Sequence, residues 1–218
     1  MSRETEIKLP IRDPKSLLRH LKRLGAKSIS LGSGRVHEMN LIFDTPDGGL
    51  AKHGQLLRIR TETPEPASPK GRKHPSRSLL TFKNPPDAAT PAKQPSDPTN
   101  RRYKIREETE LPITEPATLQ KIFEGLGLRG WFRYEKFRTT YQLPARLKWA
   151  ANLLIELDET PIGTFVELEG PAPAIDRAAA ELGFRPADYL LKNYLVLYIE
   201  DCRKRSVQPA NMLFPGSK

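Results

Sequence analysis

The chain has 218 residues, with 36 Lys and Arg against 26 Asp and Glu, and a formal net charge of +10. That length is ample for a hydrophobic core, and no apolar run approaches the roughly 20 residues of a spanning helix, which excludes a helical membrane protein. One cysteine, Cys202, excludes a disulfide scaffold or a thiolate cage, and the four His at 20, 37, 53 and 74 are too scattered for a zinc site. The first residues show no apolar stretch of a secretory signal, so a cytoplasmic enzyme or binding protein is expected, with anionic partners favoured by its charge.

The first element is a strand over Glu4–Leu9. Asp13-Pro14 is a helix cap and first turn, followed by Leu17, Leu18, Leu21 and Leu24 at helical spacing and Gly25 as the stop. Strands are predicted over Arg35–Phe43 and Gln55–Thr61. Nine of the 21 prolines then fall between Pro64 and Pro98, which predicts flexible loops at 63–78 and 84–101 around a short strand, Leu79–Lys83. These loops carry Lys70, Arg72, Lys73, Arg77, Arg101 and Arg102, hence much of the positive charge. A strand over Tyr103–Leu111 leads into a helix over Thr114–Leu126, stopped by Gly127. Strands follow at Trp131–Gln142, Leu153–Asp158 and Gly163–Glu169. Helices are predicted at Pro173–Leu182 and at Pro186 to about Arg203. Beyond Arg205 the chain reads as a loosely ordered tail to a single domain over 1–205. Strands that mostly follow strands predict an antiparallel sheet, and eight suffice to close a barrel. The expected class is therefore α+β.

A weak internal repeat supports one shared sheet. Glu4-Thr5-Glu6, Glu108-Thr109-Glu110 and Glu167-Leu168-Glu169 each lie in a strand that a turn joins to a helix closed by Leu-Gly. The strands also place charges two apart, with apolar residues between. The sets are Glu4/Glu6/Lys8, Arg58/Arg60, Lys83, Lys104/Arg106/Glu108/Glu110, Lys136/Arg138, Glu156/Asp158 and Glu167/Glu169. Alternation sends each set to one face. An ordinary solvated face would mix in many uncharged polar residues, and like charges on neighbouring strands repel. The pattern therefore predicts a closed barrel with its charges inside and its apolar face outward under the helices.

Such an interior suits a metal-bound polyphosphate better than nucleic acid. Arginine forks grip phosphate oxygens, and lysine adds point charge. Carboxylates at several heights can hold Mg²⁺ or Mn²⁺, which take oxygen ligands. Phosphoryl transfer needs little beyond positioning, charge neutralisation and an oriented nucleophile.

Glu4-x-Glu6-x-Lys8 resembles the ExExK signature of the CYTH, or triphosphate tunnel metalloenzyme, family. Further matches follow in the family's order: Phe43-Asp44-Thr45-Pro46, Leu57-Arg58-Ile59-Arg60, Thr81-Phe82-Lys83, Arg106-Glu107-Glu108-Thr109-Glu110, Lys136-Phe137-Arg138 and Phe165-Val166-Glu167-Leu168-Glu169. The resemblance implies an eight-stranded antiparallel tunnel with helices outside. It implies that Lys8, Arg58, Arg60, Lys83 and Arg138 grip a small triphosphate and act in catalysis, assisted by Arg106 and Lys136. Lys192, on the last helix, would stand at the tunnel mouth, although Asn193-Tyr194 departs from the family's Ser-Tyr pair. Glu4, Glu6, Glu167 and Glu169 would hold Mg²⁺ or Mn²⁺ with Glu156 or Asp158. Glu108 and Glu110 would be further metal-side acids or partners that align the arginines. The implied activity is hydrolysis of inorganic tripolyphosphate or of a nucleoside or thiamine triphosphate. Class IV adenylate cyclase chemistry is the alternative, and a non-catalytic polyphosphate or RNA binder a further one.

Other residues have simpler readings. Cys202 and His37 are expected to be structural. In Trp131–Tyr141 the aromatics are expected to face the helices and the bases the lumen, rather than to form a stacking strip for single strands.

Overall fold

A computed structural model describes residues 2–85 and 102–217. Most of the 84–101 loop lies outside the described residues. The strands are β1 (Ser2–Ile11), β2 (Lys27–Ser28), β3 (Arg35–Asp44), β4 (Leu56–Pro64), β5 (Arg77–Asn84), β6 (Lys104–Ile113), β7 (Arg129–Gln142), β8 (Leu154–Thr160) and β9 (Gly163–Glu169). Every ladder is antiparallel. The order β7-β3-β4-β5-β6-β1-β9-β8 closes by pairing β8 with β7, so eight strands form a barrel and β2 is a short flap on β7. The helices are α1 (Pro14–Leu24), α2 (Gly49–Lys52), α3 (Pro116–Gly125), α4 (Ala172–Glu181) and α5 (Tyr194–Lys204). No helix among the described residues is long and apolar enough to cross a membrane.

Local chemistry sets the helix ends. The Asp13 side chain accepts from the Ser16 N–H at 3.0 Å, Pro14 opens α1, and Gly25 closes it in the left-handed region at φ 79°. The outward residues Ile7 and Leu9 of β1, Ile155 and Leu157 of β8 and Val166 and Leu168 of β9 are buried beneath Leu17 and Leu21 of α1 and Ile175, Ala178 and Ala179 of α4. The main core thus lies outside the barrel, as the alternation predicts. A second apolar cluster lies at one barrel end, where Ile42, Phe132 and Phe165 meet Tyr194, Tyr198 and Cys202 of α5. Helix α5 plugs that end.

The predicted strands all form, most of them longer than expected. Two expectations fail, for one reason. The predicted helix from Pro186 is only a 3₁₀ turn over Pro186–Asp188, and the chain then runs extended before Asn193 caps α5. Leu190 exchanges backbone bonds with Lys8 at 2.9 and 3.0 Å. Strand β6 starts at Lys104, which pairs with Glu6, so the β1 edge beyond Glu6 is open to another partner. The tail is likewise held, not loose. Met212 is buried and bonds across β7 to the Arg133 carbonyl at 2.9 Å and the Glu135 N–H at 3.0 Å. Strand β8 reaches back along β7 only to Phe137, which leaves that edge free. Glu135 also accepts from His37 Nε2 at 2.7 Å and from the Phe214 N–H, pinning the strap.

Candidate active site

Cross-strand register brings the inward charges to common levels. Lys8 lies opposite Glu167, Glu6 opposite Glu169 and Lys104, Glu4 opposite Arg106, and Arg138 opposite Asp158. A cavity of about 590 Å³ occupies the plugged half, lined by Lys8, Arg58, Lys104, Tyr134, Lys136 and Tyr194, among others. A second, of about 850 Å³, occupies the other half and is lined by Glu38, Glu62, Glu108, Glu110, Glu156 and Glu169, among others. Glu4, Arg60, Lys83 and Arg138 border both, so they form a waist between a basic chamber and an acidic one.

Most of these charges are already paired. Lys83 Nζ bonds Glu4 at 2.7 and 2.9 Å and lies 3.2 Å from Glu108. Lys8 pairs with Glu167, and Lys104 with Glu6. Arg138 donates to Asp158 at 2.6 and 2.7 Å and also meets Glu156 and Glu167. Lys136 Nζ bonds Asp158 at 2.8 Å, and the Tyr194 hydroxyl donates to the same carboxylate at 2.6 Å. The Tyr194 ring lies beneath Lys8, 4.3 Å from its Nζ. These contacts shift the titrations. Burial alone would raise the Glu6 carboxyl, but Lys104, with Lys8 and Lys83, brings it down to about 2. Burial would likewise raise Glu167, yet Lys8 and Arg138 hold it well below the usual carboxylate range.

Arg58 is the exception. Its side chain lies at the basic chamber, 5% exposed, with only neutral partners: the Tyr134 hydroxyl accepts from Nη1 at 3.0 Å and Thr81 Oγ1 from Nη2 at 3.3 Å. Its Nε–H is buried without a partner, and Arg58 forms no ion pair among the described residues. A desolvated cation without a counter-charge is costly unless a ligand supplies one. Nearby, the Asn40 amide accepts from Arg60 Nε at 3.2 Å while its own Nδ2 is buried and unpaired.

The acidic chamber has the opposite shortage. Glu169 forms no ion pair among the described residues, and burial, reinforced by Glu156, Glu4 and Glu6, pushes it up to about 8. Burial, with Glu167 and Asp158 outweighing the pull of Arg138, takes Glu156 up to about 7. As the side chains stand, no three acids converge on one point among the described residues. The donors nonetheless suit a hard cation: all are carboxylate oxygens, and burial beside other acids raises two of them to about 7 and about 8.

This predicts a pH dependence of stability. Glu156 and Glu169 bind protons more tightly in the folded chain than at the unfolded value of 4.5. Their contribution is full below that value and is lost as pH rises through about 7 and 8. Cation-free protein should therefore show a falling Tm by calorimetry between about pH 5 and pH 8.5, and excess Mg²⁺ should flatten the slope. A Tm that rose over this window in chelator would refute the assignment.

The site residues named from sequence divide accordingly. Lys8, Arg58, Arg60, Lys83, Lys136 and Arg138 line the basic chamber together with Glu4, Glu6 and Glu167. Glu156 and Glu169 line the acidic one. Asp158 is fully buried as a partner of Lys136, Arg138 and Tyr194. Arg106 stands outside the basic chamber, donating to the Gly54 carbonyl at 2.8 Å. Lys192 precedes α5, pairs with Glu200 at 2.6 Å and lines neither chamber. Glu108 partners Lys83, and Glu110 accepts from Thr81 at 2.9 Å, whose hydroxyl in turn accepts from Arg58 Nη2.

Sequence reasoning missed Glu38, Asn40, Tyr134 and Tyr194. Glu38 is 2% exposed and 3.5–3.6 Å from Arg60, Lys136 and Arg138, which drive its carboxyl down against the effect of burial. Tyr134 corrects the expectation that the aromatics face the helices. It shares the parity of Lys136 and Arg138, so it points into the lumen, as alternation already required. The Phe43-Asp44-Thr45-Pro46 turn is structural: Asp44 accepts from the N–H groups of Thr45, Leu50 and Ala51 at 2.7–3.1 Å and so anchors α2.

The model of the CYTH domain family matches residues 2–183. No curated protein matches the chain. Among solved structures, a Vibrio parahaemolyticus protein described as a candidate adenylate cyclase superposes at TM-score 0.60 with 18% identity, covering 88% of this chain and 94% of that one. The PH1819 protein of Pyrococcus horikoshii gives TM-score 0.63 at 20% identity, over 90% of this chain and 98% of its own. HpAC1 from Hippeastrum, described as a candidate adenylyl cyclase with a dominant triphosphatase activity, gives 0.51 at 18%, over 94% and 97%. At these identities the likeness shows a shared fold.

Proposed function

The chain belongs to the CYTH family, and from that premise we propose that it is a divalent-metal-dependent triphosphatase whose tunnel takes one small triphosphate. The observation that carries this reading is Arg58, a buried guanidinium at the basic chamber with neutral partners and a free Nε–H. A phosphate oxygen supplies the missing negative charge. Lys8, Arg60, Lys83, Lys136 and Arg138 surround the same space and would neutralise the remaining phosphate charge in the ground and transition states. Their present carboxylate partners keep them positioned without substrate. The triphosphate competes for those cations, and the released acids gain from a cation of their own. Glu4, Glu6, Glu167 and Glu169, with Glu156, would hold Mg²⁺ or Mn²⁺, which supplies phosphate charge neutralisation and a more acidic water when bound. Tyr194 and Glu38 keep Lys8, Lys136 and Arg138 directed into the cavity. The triphosphatase activity ascribed to the Hippeastrum protein agrees with hydrolysis.

Product analysis tests this. Protein incubated with tripolyphosphate, ATP or thiamine triphosphate should release orthophosphate with Mg²⁺ or Mn²⁺ and none with chelator. Cyclic AMP and pyrophosphate from ATP would instead make it a cyclase. Affinity that falls steeply with salt, without turnover, would make it a binder. Changing Glu4 and Glu6 to Gln should raise the metal needed for half-maximal turnover at least about ten-fold, since even outer-shell changes cost that much. An unchanged metal titration would remove the first strand from the metal site.

A further inference from the structure

A third cavity, of about 910 Å³, opens at the plugged end between α2, the start of β4 and the N-terminus of α5. Ile42, Leu56, Lys83, Lys104, Asn193 and Leu195 line both this cavity and the basic chamber, so the two adjoin. Their walls differ in character. The basic chamber is charged, whereas the outer cavity adds Trp131, Val196 and Phe43, with Arg106 and Gln55 at its polar side.

Trp131 is there because of a register break. Ile42 lies opposite Phe132 and Phe43 opposite Gly130, which makes Trp131 an extra residue on β7. A bulge of this kind re-aims a side chain. The indole lines the cavity at 48% exposure, and Val196, which lines it too, is 38% exposed. An aromatic shelf adjoining a polycationic chamber matches a ligand with a polyanionic end and a flat apolar end.

We propose that this shelf binds the aromatic base of an organic triphosphate, whose phosphates lie in the basic chamber, and that the substrate is of that class and not inorganic tripolyphosphate. The inference rests on the triphosphate reading of the tunnel. The base stacks on Trp131 and covers Leu195 and Val196, while Arg106 stands at the polar edge. Tripolyphosphate has no group to fill the shelf and leaves it to water.

The test is calorimetric titration of the full chain and of Trp131→Ala with two probes, β,γ-methylene ATP and tripolyphosphate, each with Mg²⁺. The substitution should weaken the nucleotide relative to tripolyphosphate by roughly ten-fold or more, the range of base–aromatic stacking losses, and Trp131→Phe should recover most of it. Equal losses for both probes, or none for either, would overturn the shelf and leave the tunnel reading intact. Wild-type protein that bound neither probe would overturn both.

Discussion

Arg58→Ala should lower kcat/KM for the triphosphate substrate by about 10²–10³-fold, the usual loss when one preorganised donor to developing charge is removed. Its effect on stability should be small, which separates a functional loss from a folding one. The substitution removes a desolvated cation that forms no ion pair among the described residues and that opposes protonation of Lys83. Thr81 keeps its bond to Glu110. Against these gains stand the lost bonds to Tyr134 and Thr81 and a small void, which together roughly cancel them. Steady-state kinetics beside thermal melts decide the matter. Near wild-type turnover in Arg58→Ala would end the assignment of this tunnel to triphosphate.

Arg138→Ala should do the reverse and destabilise the protein itself by about 3–5 kcal/mol, as breaking a buried ion pair from one side does. Arg138 bonds Asp158 with two nitrogens, meets Glu156 and Glu167, and lies 3.6 Å from Glu38. Its loss leaves four buried acids to share Lys8, Lys136 and Arg60. For a chain of this length the shift corresponds to a Tm lower by roughly 10 °C. The loss should shrink toward pH 4, where the stranded carboxylates can take protons, and Arg138→Lys should restore part of it. A melt like that of the wild-type protein would show that the network contributes no net stability.

The two arginines illustrate a division of labour inside one barrel. Arg60 and Arg138 are held by acids and preserve the shape of the waist. Arg58 is held by a phenol and a threonine and has no acid within ion-pair reach among the described residues. Both occur in short strand motifs of the same appearance, Leu57-Arg58-Ile59-Arg60 and Lys136-Phe137-Arg138. Nothing in those motifs distinguishes a cation paired with acids from one held by neutral groups.

What the sequence by itself determined was local. Period-two alternation assigned each charged side chain to a face, because neighbouring residues on a strand must point oppositely. Asp13-Pro14 and Gly25 marked a helix because caps act within a turn. The ordered motifs from Glu4 to Glu169 identified the family. The tertiary structure alone decided what depends on pairing between distant strands. It set which acid meets which base and, among the described residues, left Arg58 and Glu169 without ionic partners. Closure of the ring also staggered the strands, which opened the edges that Leu190 and Met212 occupy and delayed the fourth predicted helix to Tyr194. The bulge that presents Trp131 arises the same way, from one residue too many between β3 and β7. Register is a long-range property, with contributions from every strand in the ring, so no single segment contains it.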